Sequence, residues 1–113
     1  GILLVPSIWD EPFGLVAIEG MTAGCLVIGS EIGGLKEVIE PRNTGYLFSP
    51  GDSRQLAGTI SYSITHPQET NEIIRHAQEI AIQRYSFAEM LERIQQILLV
   101  VINRPAQPIT VDR

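Results

Sequence analysis

Apolar residues come in short unbroken runs near the start of this chain and in steps of three and four further on. Ile2 to Pro6 is continuous and apolar, and Pro6-Ser7 ends it. A run this short predicts a strand buried on both faces of a parallel sheet. From Phe13 to Ala23 the spacing turns helical, with Leu15, Ile18 and Thr22 at i, i+3 and i+7 and Gly24 as the stop. Cys25 to Gly29 reads as a second buried strand. Strand, helix and strand within about thirty residues make a βαβ unit, whose crossover is right-handed.

Ser30 to Gly34 reads as a loop and Leu35 to Ile39 as a short helix, followed by a third strand, Gly45 to Phe48, closed by Ser49-Pro50-Gly51. Asp52 is placed to cap the next helix, on which Leu56, Ile60 and Ile64 repeat every four residues until His66-Pro67 breaks it. A further helix is expected from about Gln68 to Gln83, with Ile73, Ile74, Ala77, Ile80 and Ala81 on its inner stripe. Ser86 and Glu89 form a capping box before a last helix carrying Phe87, Met90, Leu91, Ile94, Ile97, Leu98 and Val101. Its final turns, 98–102, are apolar all round and need cover. The pattern predicts an α/β fold with a Rossmann-like parallel sheet and C-terminal helices over residues 1–102, and a disordered tail over 103–113. Because a buried strand opens the chain abruptly, these residues are expected to continue an upstream half of the same domain.

At 113 residues the chain is at most one modest domain. Its longest aliphatic run, Ile97 to Ile102, is far short of the ~20 residues of a membrane-spanning helix. No basic segment precedes the apolar start, so no secretory signal is read there. A single cysteine, Cys25, excludes an internal disulfide framework and a multi-cysteine metal cage. A cytoplasmic location is expected, with peripheral membrane association of a full-length protein as the alternative. Charge is uneven: residues 1–52 hold seven acids and two bases, while 53–113 hold six of each. An acidic front half argues against nucleic-acid binding. It also makes any anionic ligand depend on backbone amides or on cations from elsewhere.

The chemistry concentrates between Pro6 and Glu19. Glu11 lies in the loop after the first strand and Glu19 eight residues on, inside the following helix; between them Phe13-Gly14-Leu15-Val16 supply the free amides of a helix N-terminus. Such amides, with the helix dipole, suit a phosphate. Eight helical residues span about 12 Å, comparable to the reach from a sugar ring across a diphosphate to a ribose. Carboxylates flanking an anion would accept hydrogen bonds from hydroxyls at its two ends. They would do so at the carboxyl end of a parallel strand, where open α/β sheets bind ligands. The plainer reading is that Glu11 compensates the helix dipole and Glu19 is solvated.

Pro6-Ser7, Glu11-Pro12-Phe13-Gly14, Glu19, Gly24, Val27-Ile28, Ser30, Gly33-Gly34, Glu37, Gly45, Pro50 and Asp52 together resemble the C-terminal domain of GT-B glycosyltransferases of family 4, over about residues 3 to 100. The resemblance implies a retaining hexosyltransferase that moves a sugar from a nucleotide-diphosphate donor without a bound metal or cofactor. Glu11 would bind donor-sugar hydroxyls and act at the reacting centre. Amides around Phe13, Gly14, Leu15 and Val16 would hold sugar and diphosphate, and Glu19 the ribose. It further implies an upstream Arg and Lys for the diphosphate and an N-terminal acceptor domain, none of which this chain contains, so the isolated chain is expected to be inactive. The alternatives are a truncated, non-catalytic remnant and a sugar-nucleotide epimerase of GT-B shape. Departures from the family pattern include Gly20 where alanine is frequent, expected to weaken the helix by roughly 1 kcal/mol, and Arg42 where glycine is usual.

Other candidates carry less. Cys25 reads as a core residue, His66 as a helix-end residue and His76 as a helix-surface one. Gly33-Gly34 is either a turn or a ligand contact, and Trp9 packs beside the site or stacks on a sugar or base.

Overall fold

The computed structural model describes residues 1–10 and 14–84, together with 91, 92, 94–96 and 98. Three strands, β1 (Ile2–Val5), β2 (Leu26–Ser30) and β3 (Tyr46–Phe48), form a wholly parallel sheet in the order β1-β2-β3. Register is fixed by Leu4 against Ile28, Val5 against Gly29 and Ser30 against Phe48. Helices α1 (Leu15–Thr22) and α2 (Gly33–Val38) make the two crossovers; α3 (Ser53–Thr65) and α4 (Pro67–Arg84) follow β3. This is the Rossmann-like α/β arrangement expected from the strand and helix periods.

Alternation along the strands builds two cores. On one face Val5 and Val27 pack with Ala17, Ile18 and Met21 of α1 and with Leu35, Val38 and Ile39. On the other, Leu26, Ile28, Tyr46 and Phe48 pack beneath Leu56 and Ile60 of α3. Helix α4 passes under the N-terminal edge of the sheet and joins both, giving Ile73 to the second cluster and Ala77 and Ala81 to the first. Helix α1 ends in a Schellman motif, in which the Cys25 N–H donates to the Gly20 carbonyl at 2.9 Å and Gly24 to Met21 at 3.1 Å.

Several expectations need correction. Ile2 and Leu4 are 39% and 40% exposed, so β1 is covered on one face only. It is the sheet edge, and α3 reaches only over β2 and β3. Ile64 is 64% exposed; the inward face of α3 runs from Leu56 and Ile60 to the buried Ser63, following the 3.6 period rather than a strict step of four. Helix α2 begins at Gly33, within the expected loop, and Cys25 precedes β2 and is half-buried. Asp52 caps α3 as its type suggests, accepting from the Gln55 N–H at 3.0 Å. The capping box at Ser86 and Glu89, the helix end at 99–102 and the tail 103–113 lie outside the described residues. Leu91, Ile94 and Leu98 lie within them and are exposed.

Candidate functional site

Strand β1 is parallel to β2, so its carboxyl end, the Ser30 terminus of β2 and the Phe48 terminus of β3 share one edge of the sheet. The buried Ser30 hydroxyl donates to the Val5 carbonyl at 3.4 Å and ties the ends of β1 and β2 together. The connection from β1 to α1 leaves from there. Gly14 stands at the head of α1 in the left-handed region, with φ 62° and ψ 29°, and no side chain among the described residues caps the helix. The first bond within the helix runs from the Ile18 N–H to the Gly14 carbonyl at 3.2 Å. The amides of Leu15, Val16 and Ala17 precede that bond, so the helix makes no internal use of them.

Gly14 is glycine for two reasons. Its positive φ disfavours a side chain, and a Cβ there would lie 2.9 Å from Val38 Cγ2 and 3.0 Å from the Gly34 carbonyl oxygen. The second contact shows that the start of α2 backs directly onto the head of α1. The first turns of both crossover helices therefore converge at the C-terminal edge, between the ends of β1 and β2.

The predicted site residues divide as follows. Gly14 is buried, Leu15 half-buried and Val16 exposed at the head of α1, while Glu19 is exposed one turn further on. Buried Ala17 and Ile18 set the inward face, so Glu19 stands on the solvent side of a helix whose N-terminus faces the edge. Glu11 and Phe13 lie outside the described residues. Among the described residues no group of three or more His, Cys, Asp and Glu side chains could hold a metal ion.

Hollows formed by described residues are found at other places in the molecule. One of about 290 Å³ is lined by Arg42, Asn43, Glu69, Glu72, Ile73, Arg75, His76 and Glu79, beneath the amino ends of the strands. Its walls are bonded to one another. The Tyr62 hydroxyl donates to Glu69 Oε2 at 2.6 Å and that of Tyr46 to Oε1 at 3.4 Å. The Glu69 hydrogen bond raises the Tyr62 pKa, and burial followed by the Glu69 charge raises that of Tyr46. His76, predicted as a surface residue, is half-buried, with Nδ1 3.2 Å from the Asn43 carbonyl oxygen. Asn43 Nδ2 donates to Glu40 at 2.6 Å, holding that carboxyl below its ordinary range, and Arg84 Nη1 stands 3.4 Å from the same carboxylate. The bonds of Glu69, His76 and Arg84, at the edge opposite Gly14, fasten α4 to the rest of the molecule.

A parallel sheet with a glycine-headed helix at its carboxyl edge is a Rossmann-like α/β unit. Residues 1–80 match the family described as glycosyl transferases group 1, and the chain belongs to that family. It is 30% identical over 96 residues to a lipopolysaccharide 1,2-N-acetylglucosaminetransferase of Salmonella typhimurium, covering 84% of this chain and 25% of the relative. It is also 30% identical over 97 residues to a sulfoquinovosyl transferase of Arabidopsis thaliana, covering 83% of this chain and 19% of the relative. Anabaena HepE, solved in complex with UDP-glucose, superposes with a TM-score of 0.76 at 34% identity, covering 88% of this chain and 27% of HepE. Sucrose-phosphate synthase of Thermosynechococcus elongatus superposes with a TM-score of 0.74 at 32% identity, covering 89% of this chain and 25% of the synthase. The chain thus spans about a quarter of the length of the proteins it matches, and its fold is that of part of the C-terminal domain of GT-B glycosyltransferases.

Proposed function

We propose that this chain is the donor-binding part of a retaining glycosyltransferase that takes its sugar from a nucleoside-diphosphate donor. The observation that carries the reading is the head of α1. Its uncapped amides follow a left-handed glycine, and an exposed carboxylate, Glu19, stands one turn away. The comparison with HepE, which holds UDP-glucose, supports a donor of that class.

Each group has a role that follows from its chemistry. Amides at the head of α1 receive the diphosphate and stabilise the charge that develops on it as the glycosidic bond breaks. Glu19 accepts hydrogen bonds from the ribose hydroxyls, and Glu11 accepts them from the donor sugar. The −5 charge of residues 1–52 places the countercharge for the diphosphate outside this segment, on the upstream Arg and Lys that the resemblance implies. The acceptor then binds mainly to an N-terminal domain of the same polypeptide.

Titration of UDP and of UDP-glucose tests the division of roles. Glu19→Ala is expected to weaken both ligands by about tenfold or more, the equivalent of one charge-assisted hydrogen bond. Glu11→Ala is expected to weaken UDP-glucose while sparing UDP. Unchanged UDP affinity in Glu19→Ala rejects the ribose role, and equal losses for both ligands in Glu11→Ala reject the split.

A further inference from the structure

The two most exposed large apolar side chains of the described residues are neighbours, Ile8 at 70% and Trp9 at 68%. Both stand in the connection from β1 to α1, at the same carboxyl edge as Gly14. No core claims them: the cluster beside the loop is completed by Val5, Ile18 and Leu35, with Leu15 and Ile32 against it. Adjacent exposed apolar residues mark a contact surface more often than scattered single ones do.

The surrounding charge narrows what that surface meets. The same edge and the turn below it carry exposed carboxylates at Asp10, Glu19, Glu31 and Asp52, against exposed bases at Lys36 and Arg54. An excess of carboxylates repels anionic lipid headgroups and polyphosphates beyond the donor's own. It suits a neutral molecule with an apolar face and a rim of hydroxyls, since indole offers a flat apolar face and carboxylates accept hydroxyl hydrogen bonds.

We propose that Trp9 is the platform on which a neutral sugar ring of the acceptor stacks, with Ile8 flanking it. The inference rests on the donor reading above, which assigns the transferred sugar to Glu11, two residues further in the sequence. Trp9 then selects acceptors by their apolar ring face. It adds to whatever an upstream domain contributes.

Trp9 is the only tryptophan in the chain, so its indole N–H gives one unambiguous resonance in a nitrogen-15 spectrum. The experiment titrates the whole chain with maltotriose, UDP-glucose, galacturonic acid and phosphatidylglycerol vesicles in turn. The expected result is a saturable indole shift with maltotriose and a much smaller one with galacturonic acid or vesicles. Trp9→Ala should weaken maltotriose by about threefold to tenfold, followed at the Ser7 and Asp10 amides, while Trp9→Phe retains most of the affinity. An indole unmoved by maltotriose overturns the proposal. So does a shift produced by vesicles instead, or one that UDP-glucose produces and maltotriose does not add to. The Gly14 and Leu15 amides in the same spectra report on the donor site. If they ignore UDP-glucose the donor reading fails, whatever the indole does.

Discussion

The two edges of this small sheet are built on opposite terms. At the amino edge several polar groups meet one another: Gln78 donates to the Thr22 carbonyl at 3.0 Å, Asn43 to Glu40, and the Tyr46 and Tyr62 hydroxyls to Glu69. At the carboxyl edge no side chain among the described residues caps α1, Glu19 stands in solvent and Ile8 and Trp9 pack on nothing described. A hollow of about 290 Å³ lies at the first edge, and the amides proposed to receive the donor lie at the second. The proposed site is marked by bonding capacity that the described residues leave unspent.

Two glycines, one at each edge, offer the strongest way to break that comparison. At the amino edge a Cβ on Gly45 would lie 2.5 Å from the backbone oxygen of Val27, which is held within the sheet. Gly45→Ala is expected to lose about 3 kcal/mol of stability in urea unfolding, with UDP-glucose affinity unchanged for the folded fraction. Gly14→Ala adds strain at positive φ to a close contact with the Gly34 oxygen at 3.0 Å, for a loss of about 2 kcal/mol. It should also weaken UDP-glucose by at least about tenfold, because the head of α1 must turn. Equal ligand effects in the two variants would mean that the edges are not separate.

Glu69 tests the amino edge more gently. Its hydrogen bond raises the Tyr62 pKa above the ordinary 10.0, and with burial its charge raises that of Tyr46. A tyrosine whose folded pKa is raised contributes stability that is fully present below pH 10 and is lost as pH rises through the raised value. Glu69→Gln is expected to lower the urea midpoint at neutral pH by less than either glycine variant does. The gap from the parent chain should narrow above pH 10, as the parent loses what the variant already lacks. A constant gap across that range would place the role of Glu69 in packing rather than in the two hydroxyl bonds.

How legible each edge was in the sequence follows from the same contrast. Strand and helix periods give the βαβ order, the Asp52 cap and the break at His66-Pro67, because those signals are local. The placement of Gly14 at the head of α1 and of Glu19 one turn on is legible for the same reason, since it follows from where a helix starts. The amino edge was not legible. Tyr46, Tyr62 and Glu69 meet only because α4 turns under the sheet, and His76 reaches Asn43 across 33 positions of sequence. Nothing in the local pattern of Ile2 to Val5 tells whether a strand is central or an edge, so the exposure of Ile2 and Leu4 followed only from the sheet order. The pairing of Gly14 with Gly34 had a signal, two glycine-containing loops after successive parallel strands, but the distance between them needed coordinates.

Gly20 connects the two edges and carries the smallest expected effect. Helix propensity alone predicts that alanine there stabilises by roughly 1 kcal/mol. The structure opposes this, since a Cβ would meet Leu3 Cδ2 at 2.5 Å and Val27 Cγ2 at 3.0 Å. Leu3 is half-buried on the edge strand and can swing its methyl away, whereas Val27 is fully buried and cannot. Gly20→Ala is therefore expected to change stability by less than about 0.5 kcal/mol in urea unfolding, the propensity gain offsetting the crowding. Combining it with Val27→Ala should recover part of the propensity gain as a non-additive term between neighbours. A single variant that gains the full amount would show that α1 can lift off β2 without loss. Gly14 and Glu19 would then ride on a helix whose height above the sheet is adjustable, and the carboxyl edge would be held less firmly than its glycines imply.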